Sequence, residues 1–258
     1  MMIHQLATGT GNFFLVIIAA FVFSGCSASQ QDPNQLTDVR QGQGATIVVG
    51  SERVRALPAG FLGYTLESLE FEMTSLSSGD RKVKQDIVRN YALTPHSIFR
   101  YPGGLAANHF DWEGSMGHVD SRPSQKLTEW AGQSPVMFGV GEYFQFLNQV
   151  KGVPWYTLNL NGWSENSLSA EMPSATVAAS NKRLAAYIVS QTPDATVRYY
   201  QLGNELDRSI YEWPTEKYVQ RSLDTMRAIQ SVDPKARFVA FARDFDYQYR
   251  GKSGKGPY

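Results

Sequence analysis

The stretch Arg198-Tyr199-Tyr200-Gln201-Leu202-Gly203-Asn204-Glu205 decides how the chain is read. Its aromatic and apolar residues have the composition of a buried strand. Gly203 breaks the run, so an amide and a carboxyl, Asn204 and Glu205, are left at the strand's C-terminal end. In parallel α/β folds that end collects the chemistry. Taken alone, Gly-Asn-Glu is equally the end of a strand leading into an N-capped helix, so the rest of the chain has to decide.

Working outward, the pattern around this strand alternates. Upstream, Gly60–Glu67 reads as a first buried strand, Arg81–Tyr91 has helical spacing with Val83, Ile87 and Val88, and Ile98–Tyr101 is a second strand closed by Pro102-Gly103-Gly104. Gly141–Val150 carries Tyr143, Phe144, Phe146, Leu147 and Val150 on a helical stripe, Trp155–Leu160 is a third strand, and a helix runs from about Ala175 to Ser190, stopped before Pro193. The opening stretch is the fourth strand. Lys217–Ile229 follows as a helix between Pro214 and Pro234, and Arg237–Phe241 is a fifth strand. Strand and helix in strict succession predict parallel β/α architecture. Polar residues gather after every strand and no Gly-x-Gly-x-x-Gly fingerprint occurs, which favours a TIM barrel over an open dinucleotide-binding sheet.

Composition narrows the function. With 258 residues and 42% hydrophobic side chains the chain can bury a large core. Lys plus Arg and Asp plus Glu number 24 each, so no basic face announces nucleic acid, and a neutral substrate fits better. Aromatics at 12%, many near strand ends, offer flat faces for sugar rings, although core packing accounts for most of them.

The N-terminus reads differently. Phe13–Phe23 is an uninterrupted apolar run, too short for a comfortable membrane span and the right length for an export signal. Ser24-Gly25-Cys26-Ser27 follows at once and resembles a bacterial lipoprotein signal, with Cys26 as the lipidated residue; no Lys or Arg precedes the run, and Phe23 stands where Leu is usual. Residues 1–26 are therefore read as signal, 27–44 as a flexible polar tether, 45–57 as a strand of an accessory β domain built on Ala45–Val49, and 58–258 as a partial barrel. The expected location is the cell envelope, held to the membrane by the lipid. Cys26 is the only cysteine, so the rest of the chain offers no thiol nucleophile and no disulfide; no metal or other cofactor is called for.

Several motifs in order carry a resemblance. Arg100-Tyr101-Pro102-Gly103-Gly104, Asn108, Asp111-Trp112, Phe138-Gly139-x-Gly141-Glu142-Tyr143, Leu158-Asn159 with Asn161-Gly162, and Leu202-Gly203-Asn204-Glu205 resemble the clan A glycoside hydrolases. The nearest likeness is to family 51, the α-L-arabinofuranosidases, with families 39 and 79 as neighbours, and it runs from about Pro58 to Phe241. The resemblance implies a retaining glycosidase on a (β/α)8 barrel with an accessory β-sandwich. By motif position Glu205 is the acid/base and Asn204 holds the sugar hydroxyl beside the anomeric centre. Glu67 is similar to a substrate-contacting Glu, Arg100 orients or neutralises the carboxylates, and Trp112, Asn159 and Asn108 face the sugar. Leu105 stands where family 51 commonly has Asn, so the sugar stays open between arabinofuranosides and the uronic acids of family 79.

The chemistry asks for these residue types. A glycosidic oxygen leaves only when protonated, so one carboxyl must be an acid. In a retaining enzyme a second carboxylate about 5–5.5 Å away attacks the anomeric carbon, and the first then serves as base. In the clan that nucleophile ends the seventh strand, whereas the pattern here reaches a fifth strand and then Gly251-Lys252-Ser253-Gly254-Lys255-Gly256-Pro257-Tyr258. The expectation is a barrel truncated after about five β/α units, lacking the nucleophile and inactive alone. A carbohydrate-binding surface lipoprotein without catalysis is the other reading.

Some residues have plainer explanations. Arg100 reads equally well as a buried ion-pair partner. Asp244 and Asp246 are acidic but follow the wrong strand for the clan. Gly251-Lys252-Ser253 has the end of a phosphate loop, but Asp246 occupies the place of its first Gly. His96 and His118 read as surface residues, and His109, in the loop after the second strand, is the exception to watch.

Overall fold

The computed structural model describes residues 60–78, 81–128, 131–162, 171–208 and 211–242, all within one compact unit, Leu57–Tyr258. The apolar run, Cys26, the tether, the Ala45–Val49 strand, Asp244, Asp246 and the Gly251–Ser253 segment lie outside the described residues.

The strands β1 (Gly63–Thr65), β2 (Ile98–Tyr101), β5 (Val153–Leu158), β6 (Arg198–Leu202) and β7 (Ala236–Val239) form one sheet in that order, and every pair is parallel. Each strand lies beside the strand that precedes it within this sheet, the order in which a β/α barrel is wound. Helices α1 (Ser68–Ser75), α2 (Gln85–Ala92), α3 (Val140–Val150), α4 (Ser174–Gln191) and α5 (Thr215–Gln230) fill the connections. A two-residue antiparallel pair, β3 (Ser124–Gln125) with β4 (Ser134–Pro135), sits in the long connection between β2 and α3.

The register separates two faces of the sheet. Phe99, Tyr101, Tyr156, Leu158, Tyr200 and Leu202 point one way and are buried in the main hydrophobic core. On the opposite face Thr65, Arg100, Trp155, Tyr199 and Arg237 stand in one row across the strands, and all are half-buried or exposed. The helix-covered face therefore supplies the core. From this row Arg100 reaches the end of β6, where it donates to Asn204.

The aromatic side of the core interlocks. Tyr101 stacks on Tyr143 at 4.7 Å between centroids and donates its hydroxyl to the Phe138 carbonyl; Tyr143 donates to the Phe99 carbonyl at 2.7 Å. Buried tyrosines need such partners. At the other end of β6, Arg198 and Asp233 form a buried ion pair at 3.1 Å, to which Tyr200 adds its hydroxyl at 2.8 Å.

Two predicted elements change. Gly60 adopts φ +77°, outside strand geometry, and Glu67 opens α1, so the first strand shrinks to Gly63–Thr65. Helix α1 escapes a periodicity reading because two of its three buried residues are Ser68 and Ser75, beside Phe71. The helix expected from Arg81 begins at Gln85, since Arg81 has φ +57° and Val83 pairs with Leu76 in an isolated bridge.

Candidate functional site

Strand β6 delivers Asn204 and Glu205 through two left-handed residues, Gly203 at φ +72° and Glu205 itself at φ +47°. The second is unusual for a residue with a side chain and persists only where its surroundings impose it. Asn108 does so from the 3-10 turn Leu105–Asn108: its Nδ2 donates to the Asn204 carbonyl at 2.6 Å, and its Oδ1 accepts the Asn204 N–H at 3.0 Å. The Asn204 backbone is thus gripped on both sides, and the bend before Glu205 is fixed.

The Asn204 side chain is held separately. Arg100 donates from Nη2 to Asn204 Oδ1 at 2.6 Å and from Nε to Gln201 Oε1 at 2.7 Å. Gln201 Oε1 also accepts from Trp155 Nε1 at 3.2 Å, and its Nε2 donates to the Gly203 carbonyl at 2.8 Å. Residues from β2, β5 and β6 therefore meet in one network at the strand ends. Gln201 carries no sequence signal of its own, because only the pairing of the strands brings it to its partners.

Electrostatics place two carboxylates around Arg100. Burial lowers the Arg100 pKa from its ordinary value, and the charges of Glu67 and Glu205 push it back up. Glu67 is raised, first by burial and then by Glu70, with Arg100 acting against them and Glu205 with them. Glu205 itself is roughly half exposed and pairs with Arg208 at 2.8 Å. A pair so exposed contributes at most about 1 kcal/mol, so the carboxylate is free to exchange it for another partner.

The turn after β2 explains how Glu67 is seated. Tyr101–Pro102 is a cis bond, and Gly103 and Gly104 follow at φ +67° and +55°. A Cβ on Gly104 would stand 2.2 Å from a Glu67 carboxylate oxygen, so the carboxylate rests directly on this glycine. Gly104 combines φ +55° with ψ −160°, a backbone almost only glycine adopts, so Gly104→Ala is expected to cost roughly 1–3 kcal/mol and to swing the Glu67 carboxylate away. Urea unfolding measures the first effect and the Glu67 side-chain NMR resonances the second.

The profile of the "Alpha-L-arabinofuranosidase 1 domain" matches residues 91–195, which include Arg100, Asn108, Trp112 and Asn159. A curated relative, the intracellular exo-α-(1→5)-L-arabinofuranosidase of Streptomyces lividans, is 29% identical over 176 residues, covering 65% of this chain and 26% of its own length. Over these residues the chain is similar to α-L-arabinofuranosidases, in keeping with the clan A likeness of its motifs.

Solved structures agree on the fold. The α-L-arabinofuranosidase of Thermotoga maritima, in an arabinose complex, superposes with a TM-score of 0.56 at 16% identity, covering 71% of this chain and 40% of that one. A family 51 α-L-arabinofuranosidase from Bifidobacterium longum gives 0.52 at 14% identity, covering 69% and 37%. The parallel sheet is part of a β/α barrel of this type. The chain spans about a quarter of the length of the curated relative and about 40% of the first of these structures.

Three residues expected at the sugar hold other partners in this structure. Asn108 is fully buried and spends both ends of its amide on the Asn204 backbone, so it positions that residue. Trp112 stacks on Tyr187 of α4 and donates its indole N–H to Ser180 of the same helix, which turns it to the helical layer. Asn159 Oδ1 accepts the N–H groups of Asn161 and Gly162 at 3.0 and 2.8 Å, and its Nδ2 donates to the Phe110 carbonyl, so it caps the turn after β5. Arg100, Asn204, Glu205 and Glu67 are the residues brought to one place.

The histidines separate. His118 is exposed, and His96 is an exposed turn residue at φ +64°. His109 is buried, which lowers its pKa to about 4, and its Nε2 lies 2.5 Å from the Tyr211 hydroxyl. The pair ties the loop after β2 to the loop after β6, which Trp213 closes by donating its N–H to the Leu206 carbonyl.

Proposed function

We propose that this chain carries the acid/base side of a retaining glycosidase site acting on α-L-arabinofuranosides. Glu205 is the acid/base, Asn204 holds the hydroxyl beside the anomeric centre, and Arg100 and Glu67 complete the sugar contacts. The observation that carries the reading is the Arg100–Asn204 hydrogen bond at 2.6 Å, which presents an amide and a carboxyl side by side at the end of β6. The choice of sugar rests on the arabinofuranosidase profile and on the S. lividans relative.

The steps follow from the groups present. Asn204 Oδ1 accepts from Arg100, so its Nδ2 is left to donate to a ligand hydroxyl. Glu205, half exposed beside it, delivers its proton to the departing oxygen and afterwards takes one from water. Glu67 rests against Gly104 and is given no attacking role here, so among the described residues the nucleophile stays unassigned. The chain alone is therefore proposed to bind the sugar without turning it over. As part of the same proposal, Cys26 is lipidated and holds the protein to the cell envelope.

The experiment is twofold. Purified chain 1–258 is incubated with 4-nitrophenyl α-L-arabinofuranoside, and the expected release of nitrophenol equals the uncatalysed rate. Turnover that Glu205→Gln abolishes would overturn the inactivity while supporting the acid/base. Calorimetric titration with L-arabinose is expected to show binding that Arg100→Ala weakens at least tenfold, since a charge-assisted hydrogen bond and the Asn204 orientation are both lost. Equal affinity in the two proteins would remove Arg100 from the site.

A further inference from the structure

Gln201 takes no part in the proposed chemistry, yet it bonds to β2, to β5 and to the bend after β6. It is 7% exposed, on the last full turn of pleat before β6 ends. Its amide oxygen receives two N–H donors from neighbouring strands, Arg100 Nε at 2.7 Å and Trp155 Nε1 at 3.2 Å. Its amide nitrogen donates to the Gly203 carbonyl at 2.8 Å, inside the bend that leads to Glu205. That partner set fixes which end of the amide is oxygen, because two donors face one end and a carbonyl faces the other.

We propose that Gln201 is a positioning residue that sets the directions of Arg100, Asn204 and Glu205 together. The inference rests on the reading of Glu205 and Asn204 as a sugar site and adds the group that aligns them. The geometry works through two arms. On one, an acceptor at Nε fixes the rotation of the planar guanidinium and so delivers Nη2 to Asn204 Oδ1, 2.6 Å away. With Nε and one Nη2 hydrogen engaged, the remaining guanidinium hydrogens stay available toward Glu67 and Glu205. On the other arm, the bond to the Gly203 carbonyl pins a peptide whose φ of +72° starts the bend, and Asn108 secures the peptide after it.

Glutamine alone among the side chains of this length serves both arms. Glu in its place keeps two acceptor oxygens for Arg100 and Trp155 but turns a carboxylate toward the Gly203 carbonyl. Met keeps the volume and removes both arms. Trp155 also stacks on Tyr199 at 5.6 Å, so the indole that shares the Gln201 oxygen is held from a second side and gives an independent reporter.

The test is side-chain NMR of the full chain with Gln201→Met and Gln201→Glu. In the parent protein the Arg100 Nε–H and Trp155 Nε1–H are expected to exchange slowly with solvent. Gln201→Met is expected to speed both at least tenfold and to shift the Asn204 side-chain amide. Gln201→Glu is expected to retain both protections while moving the backbone amides of Gly203, Asn204 and Glu205. A packing role alone would lower the Tm of Gln201→Met and leave the Arg100 Nε–H protected, which would overturn the proposal. Should Gln201→Met not fold, Gln201→Glu decides: unmoved Gly203–Glu205 amides overturn the proposal and moved ones support it. Titrating the same parent sample with L-arabinose keeps the two ideas apart, since absence of binding removes the sugar reading while the exchange data still decide what Gln201 positions.

Discussion

Asp233→Ala is expected to destabilise the fold by about 3–5 kcal/mol, the usual cost of removing one partner of a buried ion pair. Asp233 is wholly buried and Arg198 is 3% exposed, so neither charge has water to fall back on. Asp233 Oδ1 accepts from Arg198 Nη1 at 3.1 Å and from the Lys235 N–H at 3.0 Å, and Oδ2 accepts from the Tyr200 hydroxyl at 2.8 Å. Truncation leaves a guanidinium with only its Thr192 contacts, together with a buried hydroxyl and a backbone N–H lacking an acceptor. Combining Asp233→Leu with Arg198→Met removes both charges, and that double variant is expected to be more stable than Asp233→Ala, because the desolvation cost disappears with them. Urea unfolding followed by tryptophan fluorescence measures each. A loss below about 1 kcal/mol for Asp233→Ala would show that water reaches this pair.

Glu72→Gln is expected to change how stability depends on pH. Glu72 accepts the N–H groups of Met137 and Phe138 at 3.0 Å each. Burial raises its pKa to about 7, against the lowering effect of those two N–H groups and of Arg122, with Glu142 adding to the rise. A carboxyl whose folded pKa is raised binds its proton more tightly in the fold, so its contribution is complete below about pH 4.5 and is lost as pH climbs through about 7. The shift corresponds to a loss on the order of 3 kcal/mol across that window. His109 works in the opposite sense: its pKa falls to about 4, so its contribution is lost as pH drops from about 6.5. The two overlap and mask each other in the parent profile. The difference between the parent and Glu72→Gln isolates Glu72, because glutamine keeps an acceptor for both N–H groups and cannot ionise. That difference is expected to grow in favour of the variant between pH 4.5 and 7, and two parallel stability profiles would contradict it.

Much of this architecture can be read from residue types, because burial on one face of a parallel sheet leaves a plain mark on composition. Tyr200 and Leu202 are buried at the heart of the core, and the bend at Gly203 needs the φ that glycine tolerates. Helix α1 leaves no such mark, since serine supplies two of its inward positions. Within the site, the residue types at the strand ends could be listed but their partners could not. Asn108, Asn159 and Trp112 carry donors suited to a sugar, and the fold spends those donors on backbone carbonyls and on Ser180. Gln201 shows the reverse case, an unremarked side chain that the register brings into line with Arg100 and Trp155. Partnership across strands depends on register, and a single sequence carries little information about register until the strands are paired.

The end of β6, where Arg100 bonds Asn204 beside Glu205, is proposed as a sugar site. Backbone and side-chain amide shifts of the full chain, recorded while L-arabinose is added, test it most directly. Saturable shifts are expected at Gly203, Asn204, Glu205, Arg100 and Glu67, with Trp112 and Asn159 unmoved. Shifts confined to residues away from the β6 end, or none up to molar sugar, would contradict it.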